Sequence, residues 1–309
     1  MANSGLHTER RRILSESFAA ADPDVLVTEL YPFGRRSLAA EYDELLARAV
    51  TRVRKPIVLS SVRDILVPPS KRKQIAATEQ RLISWYDGVL VHSDPGTIAL
   101  AASWPTTPAI EALLHYTGFV AHPFATTSPV GPGMDDILVS ASRRPGGDKL
   151  FAAALDAALS RQNRTWRLLV GGSDAEHLLP WLRARISSPQ VIVEPARRDF
   201  RDLLMRAAAY VGQCGYNTAL DLMLSGTPAV LVPFEAGGDV EQVTRAGLLV
   251  DRGSFIVLRE ADLGGERLNR ALDAICNAPR RNERISSDGA TRSVEIVTQW
   301  VEGRKFAGT

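Results

Sequence analysis

The segment Gly212-Gln213-Cys214-Gly215-Tyr216-Asn217-Thr218 runs from a short apolar stretch into a helix-like one. A glycine at 215 lets a ligand come close to the backbone, and Asn217 or Thr218 can cap the helix that follows. A helix start with open N–H groups and the positive end of a dipole suits an anion. Asp221 lies three residues past Thr218, so both face the same side of the first turn. A carboxylate there can accept hydrogen bonds from a ribose diol. Taken alone, the segment also reads as an ordinary capped turn.

Two more loops carry the same kind of chemistry. The apolar run Ala229–Val232 delivers Pro233-Phe234-Glu235-Ala236-Gly237-Gly238-Asp239-Val240-Glu241-Gln242, in which glycines carry Asp239, Glu241 and Gln242 past a strand end. Acidic and amide side chains suit sugar hydroxyls, which need paired donors and acceptors. After Ile137–Ser140 comes Ala141-Ser142-Arg143-Arg144-Pro145-Gly146-Gly147-Asp148, where backbone N–H groups and guanidinium could hold a diphosphate. That loop reads equally well as a simple turn.

The elements that must position these loops alternate short β-branched runs with longer helix-like segments, the pattern of parallel α/β layers. In the first half the expected order is a helix at 9–20, strand Val25–Leu30, helix 37–50, strand Ile57–Ser60, helix 71–85 and strand Gly88–His92. Val120–Pro123 is the candidate last strand. Residues 124–133, rich in Thr, Ser, Pro and Gly, form the expected linker between a domain at 1–123 and one at 134–309. The second series has strands at Ile137–Ser140, Trp166–Val170, Val191–Glu194, Ala208–Gly212 and Ala229–Pro233, with helices between them. Helices at 266–278 and 290–302 close that domain. Successive βα units imply two doubly wound, Rossmann-like sheets, which bind ligands at the carboxyl ends of their strands.

Composition narrows the class further. A net charge of +2 over 309 residues gives no footprint for nucleic acid, and the arginine runs read as solvated surface. Two cysteines, Cys214 and Cys276, make neither a metal-ligand spacing nor a disulfide framework. Cys214 reads as a small packed residue. No run approaches the roughly 18 apolar residues of a membrane span, and the N-terminus lacks the apolar core of a secretory signal. The expected location is the cytoplasm, with peripheral membrane attachment left open.

Residues 191–249 resemble the C-terminal domain of the inverting GT-B glycosyltransferases of family 28, the group that includes the bacterial peptidoglycan UDP-N-acetylglucosamine transferase. The similar features are Arg198-Asp199-Phe200, the Gly215-Tyr216-Asn217-Thr218 turn, Asp221 followed by Ser225-Gly226-Thr227-Pro228, and Val232-Pro233-Phe234 with the later Glu241-Gln242 pair. An uncharacterised bacterial branch with GGYNT at the turn is also similar at Pro32-Phe33-Gly34 and Tyr86–Pro95. The resemblance implies a GT-B fold and a nucleotide-diphosphate sugar, most simply a UDP-sugar, as co-substrate, with no metal or other cofactor. It implies that Asp221, in place of the family's usual Glu, contacts the ribose. Glu241 and Gln242 would contact the donor sugar; Gly215, Tyr216, Asn217 and Thr218, with Ser142, Arg143 and Gly146, would border the diphosphate. Where the family usually has consecutive glycines, Ser142-Arg143-Arg144 intervene, which points to an arginine contact with phosphate.

The same resemblance makes the N-terminal domain incomplete, because its first elements are similar to the middle of the family's acceptor-side domain. Val25–Leu30 would then be an open sheet edge, suited to a partner polypeptide or to self-association. The catalytic base is expected on this side, with His92 and Asp94 after the strand Gly88–Val91 as the candidates. The acceptor is unidentified. A partner-dependent, non-catalytic nucleotide-sugar binder is the alternative reading, and a nucleotide-sugar hydrolase or epimerase a third.

Overall fold

A computed structural model describes residues 4–122, 128, 130–141, 147–161, 163–172, 175–236, 240–281 and 285–307. The chain divides into two compact units, Met1–Ala121 with Ser286–Thr309, and His122–Ile285.

The first unit runs α1 (Ser4–Ala21), β1 (Val25–Glu29), α2 (Ala39–Val50), β2 (Ile57–Arg63), α3 (Arg72–Trp85), β3 (Gly88–His92), α4 (Pro108–Glu111) and β4 (Leu114–Tyr116). Its four strands pair in parallel in the order of the chain, β1-β2-β3-β4. Right-handed crossovers in one direction place all the connecting helices on a single face of such a sheet. That face holds a core of Leu45, Leu46 and Ala49 from α2 and Leu82 from α3 against Val58, Val62, Val89 and Val91. The period-two alternation of the strands sends Ile57, Leu59 and Leu90 to the other face.

The other face is covered by α11 (Gly289–Ala307), the last helix of the chain. Ile296, Val297, Trp300 and Val301 pack on Ile57, Leu59, Leu90 and Val25. Trp300 meets His115 edge-on at 4.8 Å between ring centres. A Cβ at Gly88 would lie 2.5 Å from the Trp300 ring, so glycine is what lets the indole seat against β3. Arg304 anchors the helix end by donating to the Lys55 carbonyl at 3.1 Å and to Asp87 at 2.7 Å. The helix expected to close the second domain thus belongs to the first unit. Its covering of this face was invisible to a local reading because the partner strands lie more than 190 residues upstream, which the numbering of Leu90 and Ile296 shows.

One further expectation changes. The last strand of the first sheet is Leu114–Tyr116, while Val120 makes only an isolated antiparallel bridge to Asp288. Strand β1 is the sheet edge, and Val27 on it is 49% exposed.

The second unit runs β5 (Ile137–Ser140), α5 (Gly147–Ser160), β6 (Trp166–Val170), α6 (Ala175–Arg183), β7 (Val191–Pro195), α7 (Phe200–Arg206), β8 (Ala209–Gly212), α8 (Tyr216–Ser225), β9 (Ala229–Leu231), α9 (Glu241–Leu249), β10 (Phe255–Val257) and α10 (Gly265–Ile275). Its parallel sheet has the order β10-β9-β8-β5-β6-β7, so winding proceeds from β5 to β7, returns to the far side of β5 and continues to β10. Strand β10 was not expected; three residues after a polar turn give too little periodicity to announce a strand. The core of this unit packs α5, α6 and α10 on Val139, Leu168, Val193, Val211 and Val230. Among the described residues no helix is long and apolar enough to cross a membrane.

Trp300→Ala should cost about 2–3 kcal/mol of unfolding free energy, somewhat below the usual price of deleting a fully buried aromatic. Gly88→Val should destabilise comparably by blocking the same seat. Chemical denaturation of the two variants checks both values.

Candidate functional site

The reversal of winding makes a crevice at the carboxyl ends of β5 and β8, where chain segments leave in opposite directions. Ser140 and Gly212 are register partners there. Tyr210 forms the floor. Its hydroxyl lies 2.8 Å from the Ser140 hydroxyl and also bonds the Thr218 side chain. A Cβ on Gly212 would meet the Tyr210 hydroxyl at 2.0 Å and the Ser140 carbonyl at 2.4 Å, so only glycine fits. Burial pushes the Tyr210 phenol well above its ordinary range, keeping it a neutral donor. Sequence reasoning missed Tyr210, since the reach of its hydroxyl from beside Leu138 to Ser140 is a property of the assembled sheet.

Helix α8 begins directly above this floor. Its N-cap is Gly215, with no side-chain cap, so Asn217 and Thr218 do not cap it but occupy the first turn. Nothing lies within 4 Å of where a Gly215 Cβ would stand. Gly215 has negative φ, so its value lies in open space at the helix start rather than in backbone freedom. Tyr216 and Thr218 are half-buried and Asn217 is exposed.

One turn on, Asp221 is 17% exposed and pairs with Arg201 Nε at 3.0 Å. Burial raises its carboxyl above the ordinary value while Arg201 opposes the rise. Arg201 also donates to the His122 carbonyl at 2.7 Å, tying the start of this unit to α7. The neighbouring Asp199 receives both arms of Arg197, at 2.8 and 2.6 Å, and is held well below its ordinary value by them.

Helix α9 supplies the opposite wall. Arg245, fully buried, donates to the Cys214 carbonyl at 3.0 Å and to Glu241 at 3.0 Å, and its guanidinium lies 5.9 Å from the Tyr216 ring centre. It therefore ties the loop before α8 to the first turn of α9. Cys214 is buried, a packed thiol under that loop. Gln242 is only 4% exposed, and its amide oxygen accepts from the Phe234 N–H at 3.1 Å. In this arrangement Gln242 braces the loop after β9 more than it presents a polar head to solvent. Ser142, Arg143, Arg144 and Gly146 lie outside the described residues, as do Gly237, Gly238 and Asp239.

Elsewhere, the Asp94 carboxylate accepts from the Gly96 N–H at 2.7 Å and closes a turn after β3. His92 bonds Ser61 and Thr117 through its two ring nitrogens. A separate open groove of about 420 Å³ lies beside the starts of α5 and α6, lined by Asp148, Lys149, His177 and Trp181.

Two Rossmann-like units of parallel βα repeats, with the site residues at the reversal point of the second, define the GT-B class of fold. Residues 153–299 match the family model described as the glycosyltransferase family 28 C-terminal domain. The chain is thus similar, over its C-terminal half, to the family 28 type of GT-B glycosyltransferase. A UDP-N-acetylglucosamine–N-acetylmuramyl-(pentapeptide) pyrophosphoryl-undecaprenol N-acetylglucosamine transferase of Anaeromyxobacter sp. (strain K) is 36% identical over 122 residues, 38% of this chain and 30% of the relative. One of the same description from Lactiplantibacillus plantarum is 27% identical over 145 residues, 46% of this chain and 40% of the relative. The matched stretch thus spans well under half the length of these relatives. Among solved structures, the calicheamicin glycosyltransferase CalG4 superposes with a TM-score of 0.60 at 16% identity, covering 98% of this chain and 81% of its own. Acinetobacter baumannii MurG gives 0.60 at 15% identity, covering 97% and 81%.

The raised carboxyl of Asp221 sets a stability signature. Because the folded group binds its proton more readily than the unfolded one, its contribution is present at low pH and lost as pH rises past the ordinary value of 3.8. Asp221→Asn should therefore gain stability relative to the native chain between about pH 4 and pH 7. Thermal melts of the two proteins across that range check the sign.

Proposed function

We propose that the chain transfers a sugar from a nucleotide-diphosphate donor, most simply a UDP-sugar, to an acceptor hydroxyl with inversion. The observation that carries this reading is the uncapped start of α8, open at Gly215, with the Asp221 carboxylate one turn on, inside the region that matches the family model. The N–H groups of that first turn, with Asn217 and Thr218, border the diphosphate; Arg143 from the loop after β5 adds a cation. Asp221 receives the ribose hydroxyls. Glu241, oriented by Arg245, meets the donor sugar, and Gln242 braces the loop beside it. As the bond to the diphosphate breaks, the helix dipole and the arginine stabilise the charge that develops on the leaving group. No metal ion is needed for that task, and none enters the proposal.

A second reading is favoured by the edge strand. Val27 on the edge strand β1 and Leu6 and Ile13 on α1 are apolar and 49%, 48% and 47% exposed. On this reading the chain binds the donor and works with a partner polypeptide, or a second copy, added at that edge.

Calorimetric titration tests the donor site. UDP should bind the native chain equally well with magnesium or with EDTA, and Asp221→Ala should weaken it at least tenfold, about 1.4 kcal/mol. Absence of binding by UDP and by UDP-sugars would remove both readings. Size-exclusion chromatography with light scattering separates them: a dimer that Val27→Lys dissolves supports association at the edge.

A further inference from the structure

Three hydroxyl groups join the end of β5 to the start of α8 inside the second unit. Tyr210 lies opposite Leu138 in the register, yet its phenol runs along the sheet to the carboxyl edge. Its hydroxyl lies 2.8 Å from the Ser140 hydroxyl and 3.4 Å from the Ser140 carbonyl, and it bonds the Thr218 side chain on the first turn of α8. The missing side chain of Gly212 makes room for it. Tyr210 is 1% exposed, whereas Ser140 and Thr218, at the two ends of the chain, are half-buried. Phe200 meets the Tyr210 ring edge-on at 6.1 Å, so the ring and the hydroxyl have separate neighbours.

Three hydroxyls carry three protons, and the two links use two of them. If both outer groups donate inward, the phenol proton is left to the Ser140 carbonyl at 3.4 Å, beyond the usual range for an O–H donor. The chain therefore runs in one direction, with Tyr210 accepting from one neighbour and donating to the other. The spare proton then sits at one end, on Ser140 or on Thr218. An anion at the start of α8 decides between them. It takes the Thr218 proton, Thr218 accepts from Tyr210, and Tyr210 accepts from Ser140.

We infer that Tyr210 is a positioning residue that makes the Thr218 hydroxyl a hydrogen-bond donor to the diphosphate, with Ser140 as the far end of the same chain, an assignment that rests on the donor-site reading. Tyr210 touches no ligand itself. Its donation to the Thr218 oxygen strengthens that hydroxyl as a donor, because linked hydroxyls polarise one another where water is excluded. The chemistry recognised is phosphate oxygen, not base or ribose. Every group involved lies on β5, β8 or α8, within one unit.

Tyr210→Phe keeps the ring and removes the hydroxyl. Titrations of the full chain should show UDP weakened about tenfold in this variant, with the affinity for uridine unchanged. Ser140→Ala, which leaves the ring packing alone, should weaken UDP about threefold by removing the donor behind Tyr210. Carbon NMR of protein labelled at the tyrosine Cζ, with Tyr210→Phe to assign the signal, reads the phenol itself. That signal should move when UDP saturates the native chain and stay in place when UDP saturates Thr218→Val. UDP bound equally by the native chain and Tyr210→Phe, an equal loss of UDP and uridine affinity, or a Cζ signal that UDP leaves unmoved would overturn the assignment. The Cζ and Ser140→Ala readouts stand even where the phenylalanine variant folds poorly. A native chain that binds no UDP overturns the donor site itself, and the inference with it, so the two failures read differently.

Discussion

The right-handed crossover is the constraint on which both units depend. In the first unit the strands follow one another across the sheet, so the rule sends every connecting helix to one face and leaves the other to be covered from elsewhere. The chain's last helix does this, seated by Trp300 over a glycine. In the second unit the winding turns back at β5, and the same rule opens a crevice between β5 and β8. The loops after β5, β8 and β9 then leave from three adjacent strands at one sheet edge.

Within that crevice, charge is organised before any ligand arrives. Arg245 is buried and holds the loop before α8 by a carbonyl and α9 by Glu241. Arg201 faces Asp221, and Arg197 grips Asp199. Each carboxylate is thus oriented by a guanidinium. A buried ion pair contributes little net stability, because desolvation offsets most of its attraction. Its gain is geometric: the side chains are already placed before any ligand comes within reach.

Most of the strands and helices were legible in the chain because periodicity is local, and the runs Ile57–Ser60, Gly88–His92 and Trp166–Val170 carry their own pattern. The loop from Gly212 to Asp221 was legible for the same reason, with glycine, amide and carboxylate close together in sequence. What could not be read depends on contacts across the chain. Tyr210 gains its place from pairing with β5, and Ser61 meets a histidine 31 residues away. Gln242 looked like an exposed polar contact, but it is buried and accepts from the Phe234 N–H. Short strands such as Leu114–Tyr116 and Phe255–Val257 exist because a neighbouring strand offers an edge, not because their own residues demand it.

The central claim is that the start of α8 is the diphosphate site. Backbone proton–nitrogen spectra of the chain, recorded as UDP is added, address it at single residues. The amide signals of Gly215, Tyr216, Asn217 and Thr218 should shift together and saturate at one UDP per chain. Shifts confined to the groove of Asp148, His177 and Trp181, with the α8 amides unmoved, would contradict the account.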